Sequence, residues 1–157
     1  MIDIKELCLE SLKGRGRVLC IDYGDKRVGL AISDIFWTIA SPMDVLESHG
    51  IYKKLIPIIK NNSVNLIIVG LPKSLSGGSA GQQLEKVQKF VCKLEELLAE
   101  QNIDVKMSFW DERLSTVAAN RFLEEGNISR SNRRSIIDKV AASFILRGFL
   151  DYVLVNF

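Results

Sequence analysis

Two periods of apolar residues run through this chain, and the switch between them predicts its architecture. Residues 3 to 12 carry Ile4, Leu7, Cys8 and Leu12 at helical spacing, and "KGRGR" then breaks the pattern with two glycines. Val18 to Tyr23 and Val28 to Asp34 are short apolar, β-branched runs around a turn rich in Gly, Asp and Lys, which predicts a hairpin. A third strand begins at Ile39 or Ala40 and ends at Leu46, with Pro42 marking a sheet edge or an irregular start. These three are expected to be antiparallel neighbours. From Ile51 the spacing turns helical through Leu55, Ile58 and Ile59 to Asn61, and the unbroken run Val64 to Gly70 predicts a strand buried on both faces. After the loop "LPKSLSGGSAGQQ", Leu84, Val87, Val91, Leu94 and Leu98 recur at steps of three and four along one helix. Val105 to Trp110 alternates as the last strand, and helices are expected over Ser115 to Glu125 and Arg133 to Val153. The order β-β-β-α-β-α-β-α-α is that of an α/β protein.

Length adds that the 157 residues suit one domain, residues 1–157, in which 1–16 form a short helical extension and a basic linker. Hydrophobic residues at 47% and charged residues at 25% exclude a disordered chain. No apolar run reaches the roughly 18 residues of a membrane span, and the N-terminus lacks the features of a secretory signal. A cytoplasmic location away from membranes is expected. Cys8, Cys20 and Cys92 lie far apart and His49 is the single histidine, which argues against a zinc site or a disulfide framework. The thiols are expected in the core, and His49, in a turn, is given no role. A net charge of +2 predicts no partner by itself; its distribution matters more.

Three carboxylate positions interrupt otherwise structural patterns. Asp22 ends the first strand, Asp111 and Glu112 follow the last one, and Asp138 lies in the final helix on the edge shared with Ala141, Ala142 and Ile145. The carboxyl ends of strands are where α/β sheets build sites, so Asp22 and the acidic pair can converge. Like charges gathered there repel one another unless a cation compensates. Oxygen donors without His or Cys pairs suit Mg²⁺ or Mn²⁺, two of which can stabilise the attacking and leaving oxygens at a phosphate. Each position also has a plainer reading. Asp22 can tie the "DYGD" turn, Asp111 and Glu112 can pair with Arg113 at the surface beside a helix capped by Ser115 or Thr116, and Asp138 can be solvated beside Lys139.

The basic residues point toward phosphate. Arg130, Arg133 and Arg134 stand at the start of the helix that carries Asp138, Lys26 and Arg27 follow Asp22, and Lys13, Arg15 and Arg17 flank the first strand. Arginine's planar fork donates paired hydrogen bonds to phosphate. The loop "SLSGGSAG" can present backbone N–H groups to an anion, although it lacks the lysine and spacing of a nucleotide-binding P-loop.

Four stretches together resemble the YqgF/RuvX family, Holliday junction resolvase-like proteins and nucleases of the 5′ end of the precursor of 16S ribosomal RNA. They are "VLCIDYGDKRVGLAISD", "LIIVGLPKSLSGGSAGQQLEKVQKFV", "WDERLSTVAANRFL" and "RRSIIDKVAASFILRGFLD", in the family's order. The resemblance implies a ribonuclease H-like fold, a five-stranded mixed sheet of three antiparallel strands and two more joined through helices, with helices on both faces. It implies Asp22, Asp111, Glu112 and Asp138 as catalytic residues, Asp22, Glu112 and Asp138 as ligands of Mg²⁺ or Mn²⁺, and Lys26, Arg27, Arg113, Arg130, Arg133 and Arg134 as contacts to nucleic acid. Precursor ribosomal RNA or branched DNA is the implied substrate, and the protein is expected as a monomer or homodimer. Related resolvases carry a glutamate near the end of the fourth strand, where this chain has Gly70, Leu71 and Pro72; the resemblance implies that the Asp111 and Glu112 pair substitutes, without deciding which of the two. The extension before Arg17 also departs from the family. Two other classes compete: an actin-like ATPase, whose second domain this length leaves no room for, and a non-catalytic nucleic-acid-binding or ribosome-assembly module.

Overall fold

The computed structural model describes residues 9–71, 78–111 and 130–156. Helix α1 (Leu9–Leu12) precedes strands β1 (Arg17–Tyr23), β2 (Arg27–Ser33) and β3 (Ala40–Glu47). Helix α2 (Ile51–Asn61), strand β4 (Val64–Leu71), helix α3 (Gly78–Glu100), strand β5 (Lys106–Asp111) and helix α4 (Arg130–Asn156) follow. The strands form one sheet in the order β3-β2-β1-β4-β5. β1, β2 and β3 are antiparallel neighbours, while β4 runs parallel to β1 and β5 parallel to β4. This is the mixed five-stranded sheet that the periodicity and the resemblance predict, with each strand within a residue of its expected bounds.

Side-chain alternation splits the core into two layers. Leu19, Ile21, Val28, Leu30, Ile67, Val69 and Met107 face α2 and α3, against Ile51, Leu55, Ile59, Phe90, Val91 and Leu94. Val18, Cys20, Ala31, Leu66, Ile68 and Trp110 face the other way, against Ala142, Ile145, Leu146 and Phe149 of α4 and Leu9 of α1. Each such fully buried side chain contributes about 1.5–3 kcal/mol, so burial on both faces explains why β4 carries no polar stripe. Tyr23, Phe90 and Tyr52 stack in series, with ring centroids 4.5 and 5.6 Å apart. Burial, then the neighbouring Tyr23, pushes the Tyr52 hydroxyl above its ordinary range, against a smaller downward pull from Lys93.

The edge strand β3 carries Pro42, as expected. The β2–β3 register shifts between Leu30, opposite Asp44, and Ala31, opposite Pro42, so that the edge accommodates a residue without a donor. A second shift lies between Arg17 and Val18 against β4, and on the β2 side of the strand the Val18 N–H donates to the buried Ser33 Oγ at 2.8 Å. The β2–β3 connection folds around Asp34, whose carboxylate accepts hydrogen bonds from the Phe36, Thr38 and Ile39 N–H groups and from the Thr38 hydroxyl. That connection buries Trp37, whose indole donates to the Gly16 carbonyl at 2.9 Å. Gly16 leaves room for no side chain, since a Cβ there would lie 2.6 Å from the Ser63 carbonyl oxygen and 2.7 Å from Asn65 Cγ.

Three expectations are corrected. The loop expected through Gln83 ends at Gly78, where α3 begins. The packed stripe Val87, Phe90, Val91, Leu94 and Leu98 supports the helix, and Gln83 and Lys86 tie its first turns to the β1–β2 turn, which outweighs the poor helix propensity of Gly78 and Gly81. Cys92 is exposed on α3, whereas Cys20 is buried as expected. Helix α4 extends three residues beyond its expected bounds at each end. Of the expected helix over residues 3 to 12, the described part is Leu9–Leu12; Cys8 and the expected helix over 115 to 125 lie outside the described residues. No helix among the described residues is long and apolar enough to cross a membrane.

Candidate nuclease site

Because β1, β4 and β5 are parallel, Tyr23, Leu71 and Asp111 end at the same edge of the sheet, beside the β1–β2 turn. Asp22 is half-buried at that edge. Its place in the alternation follows Val18 and Cys20, so it stands on the face covered by α4. Its direct partner on β2 is Gly29. On the other side, the β1–β4 register places Gly70 next after Val69, the partner of Ile21. Two glycines thus flank the carboxylate across the sheet.

Arg27 shares that face, since Gly29 and Ala31 follow it at steps of two and Ala31 packs in the α4 layer. With Asp22 opposite Gly29, Arg27 is its diagonal neighbour, about 7–8 Å away by sheet geometry. Lys26 is exposed in the turn between them. The turn is fixed from two sides. The Gly24 N–H donates to the Arg27 carbonyl at 3.0 Å, the Ser48 N–H to the Lys26 carbonyl at 3.0 Å and the Ser48 hydroxyl to the Gly24 carbonyl at 2.6 Å. From α3, Lys86 pairs with Asp25 at 2.7 Å and the Gln83 amide donates to the Tyr23 carbonyl at 3.3 Å. A shallow groove lined by Asp25, Lys26, Arg27, Val45, Glu47 and His49 opens beside it.

Asp111 ends β5 opposite Leu71. Trp110 packs in the α4 layer, whereas Met107 and Phe109 belong to the other, so the alternation assigns Asp111 to the α2 and α3 face, away from Asp22. Glu112 and Arg113 lie outside the described residues. Arg130, Arg133, Arg134 and Asp138 fall within helix α4, but their side chains lie outside the description. Position 138 precedes Ala142 by one helical turn, and Ala142, Ile145 and Phe149 are the buried stripe of that helix. The "SLSGGS" stretch ahead of α3 is outside the described residues through 77. Among the described residues no three His, Cys, Asp or Glu side chains gather as a metal-binding group. Asp22 has the oxygen-donor chemistry that suits Mg²⁺ or Mn²⁺, but the described donors alone do not complete a site for either. His49, to which the sequence gives no role, is brought to the groove by the pairing of Ser48 with the β1–β2 turn; no local sequence signal announces that contact.

Comparison with known proteins agrees with the fold. The solved structure of T. thermophilus RuvC in complex with a Holliday junction superposes with a TM-score of 0.52 at 11% identity, covering 87% of this chain and 96% of that one. The likeness shows a ribonuclease H-like fold. Sequence relatives are closer. A protein of Clostridioides difficile is 46% identical over 140 residues, covering 87% of this chain and 95% of its own length, and bears the name "Putative pre-16S rRNA nuclease". Proteins of the same name from Caldanaerobacter subterraneus and Staphylococcus haemolyticus are 45% and 42% identical, with 86% and 87% of this chain covered. The family model described as "RuvX: Holliday junction resolvase" matches residues 16–152, a span that begins at the glycine packed under Trp37 and takes in the whole sheet. With this match over most of the chain, and a sheet order in agreement, the chain belongs to the RuvX family.

Proposed function

We propose that this protein is a nuclease that hydrolyses phosphodiester bonds in structured RNA, acting in the cytoplasm on the 5′ end of precursor 16S ribosomal RNA. The observation that carries the reading is the placement of Asp22: a half-buried carboxylate at the carboxyl end of β1, flanked by two glycine positions, with Arg27 diagonal to it on the same face. A lone acid would repel a phosphodiester. A guanidinium beside it donates paired hydrogen bonds to the phosphate oxygens and offsets that repulsion. The names borne by the relatives supply the RNA substrate.

Asp22, Glu112 and Asp138 are the proposed ligands of Mg²⁺ or Mn²⁺. When bound, such an ion polarises a phosphoryl oxygen and acidifies water. Glu112 is preferred over Asp111 because the alternation of β5 assigns Asp111 to the opposite face. Asp138 suits the role because its helix packs on β1 and β2 and its position lies one turn before Ala142, which shares a buried cluster with Cys20. Arg113, Arg130, Arg133 and Arg134 are proposed to hold the flanking strand. Branched DNA is the second substrate to test, since a RuvC of the same fold is solved with a Holliday junction.

The test is a metal titration of the pure protein on a precursor RNA and on a four-way DNA junction. Chelation is expected to stop RNA cleavage and Mg²⁺ or Mn²⁺ to restore it. Cleavage that persists in excess chelator would remove the metal from the account, and cleavage of the junction alone would replace RNA by DNA as the substrate.

A further inference from the structure

The groove between the β1–β2 turn and the β3–α2 connection starts at Arg27 and continues past it with basic residues that the proposed chemistry does not use. One of its two acids is answered from within: Asp25 is held by Lys86 at 2.7 Å, while Glu47, opposite Arg27 in the strand register, stays exposed. Lys26 and His49 remain, both exposed and both with side chains unpaired in any ion pair among the described residues. Immediately beyond His49, the first turn of α2 contains no acid and adds the exposed Lys53 and Lys54. Lys26, Arg27, Lys53, Lys54 and Lys86 outnumber Asp25 and Glu47, so the local charge is positive.

The surface is also rigid. Ser48 bonds through both its N–H and its hydroxyl to the turn that carries Lys26, so the backbone at His49 and at Lys26 is fixed in relative position. Gln83 and Lys86 hold the same turn from α3. A fixed backbone leaves only the side chains to be ordered on binding, which lowers that cost. Arg27 connects this groove to Asp22, being a lining residue of the first and a diagonal neighbour of the second.

We infer that the groove is a second substrate subsite, in which Lys26 and His49 hold backbone phosphates of the nucleic-acid strand that runs from Asp22 past Arg27 toward the start of α2. Lys26 supplies a point charge and His49 a ring N–H donor, and neither reads a base. This rests on the nuclease reading and deepens it: the substrate must extend over several nucleotides on one side of the cleaved bond, so a dinucleotide is a poor substrate.

Binding of a short fluorescein-labelled RNA hairpin with a single-stranded 5′ extension, followed by anisotropy across a salt series in chelator, tests the subsite without cleavage. The variant Lys26→Ala/His49→Ala is compared with the parent and with Lys60→Ala, whose lysine bonds to Gln101 at the far end of α2. Both altered side chains are exposed, and a thermal melt checks that the variant folds. The double variant is expected to bind about tenfold more weakly, with the slope of log affinity against log salt reduced by about 0.7–0.9 for the lost lysine contact, and Lys60→Ala to match the parent. Equal affinity and slope for the double variant and the parent would overturn the subsite while leaving the nuclease reading intact. Failure of the parent itself to bind the RNA would overturn both.

Discussion

At the scale of single residues, Asp34 and Gly24 show how much of a connection depends on one side chain or on none. Burial alone would raise the Asp34 carboxyl, but hydrogen bonds from Ile39, Thr38 and Phe36 outweigh it and hold the group below its ordinary value of 3.8. A depressed folded value means stability that is present at neutral pH and lost as pH falls through it. Asp34→Ala is therefore expected to cost about 1 kcal/mol at pH 7, the size of an exposed hydrogen-bonded turn, and urea unfolding should show that difference shrinking below about pH 4. A gap that does not change with pH would assign the effect to packing. Gly24 is needed for space, since a Cβ there would meet the Arg27 carbonyl oxygen at 2.7 Å. Gly24→Ala is expected to destabilise the fold by about 1–3 kcal/mol and to weaken RNA binding as well, because the carbonyl that must shift belongs to the residue beside Asp22. Full binding by a destabilised Gly24→Ala would show that the turn does not position Arg27.

At the scale of elements, α4 joins the candidate chemistry to the core. Phe149 is fully buried, edge-on to Trp110 at 5.5 Å and tilted on Trp37 at 6.2 Å, so it anchors the helix at both β5 and the β2–β3 connection. Phe149→Ala is expected to lower stability by about 3–5 kcal/mol, read by urea unfolding, and to reduce cleavage at temperatures where the variant is still folded. The strands and most helices were legible in the sequence because their periods were strong: Val64 to Gly70 could hardly be anything but a strand, and Val87 to Leu98 repeats every three or four residues. Where the pattern was weak, tertiary contacts decided. Gly78 and Gly81 read as loop, yet lie in α3 because the rest of that helix is packed. Trp37 sits at φ 61° with its indole on the Gly16 carbonyl, an anchor that no local pattern in "DIFWTIA" announces. Asp22 stood out because it ends an apolar run. The facing of Asp111 away from it, and the nearness of His49 to Lys26, depend on strand register and on a loop-to-loop hydrogen bond, which spacing does not carry.

At the scale of the whole molecule, the sheet order brings the ends of β1, β4 and β5 to one edge, and α4 lies across the face on which Asp22 stands. That edge gathers the candidate acid, the arginine diagonal to it and the groove that continues from them. The β2–β3 connection lies at the opposite end, where Trp37 packs beside Leu150 and Val153 of α4. Asp22 serves hydrolysis and not folding in the function proposed above. Its most direct test measures cleavage of a precursor RNA and binding of the same RNA side by side for the parent and Asp22→Asn, in Mg²⁺. The account predicts that cleavage falls by at least about a hundredfold, roughly 2.7 kcal/mol of transition-state stabilisation, while binding and melting temperature stay close to the parent's. Equal cleavage by parent and variant would contradict it.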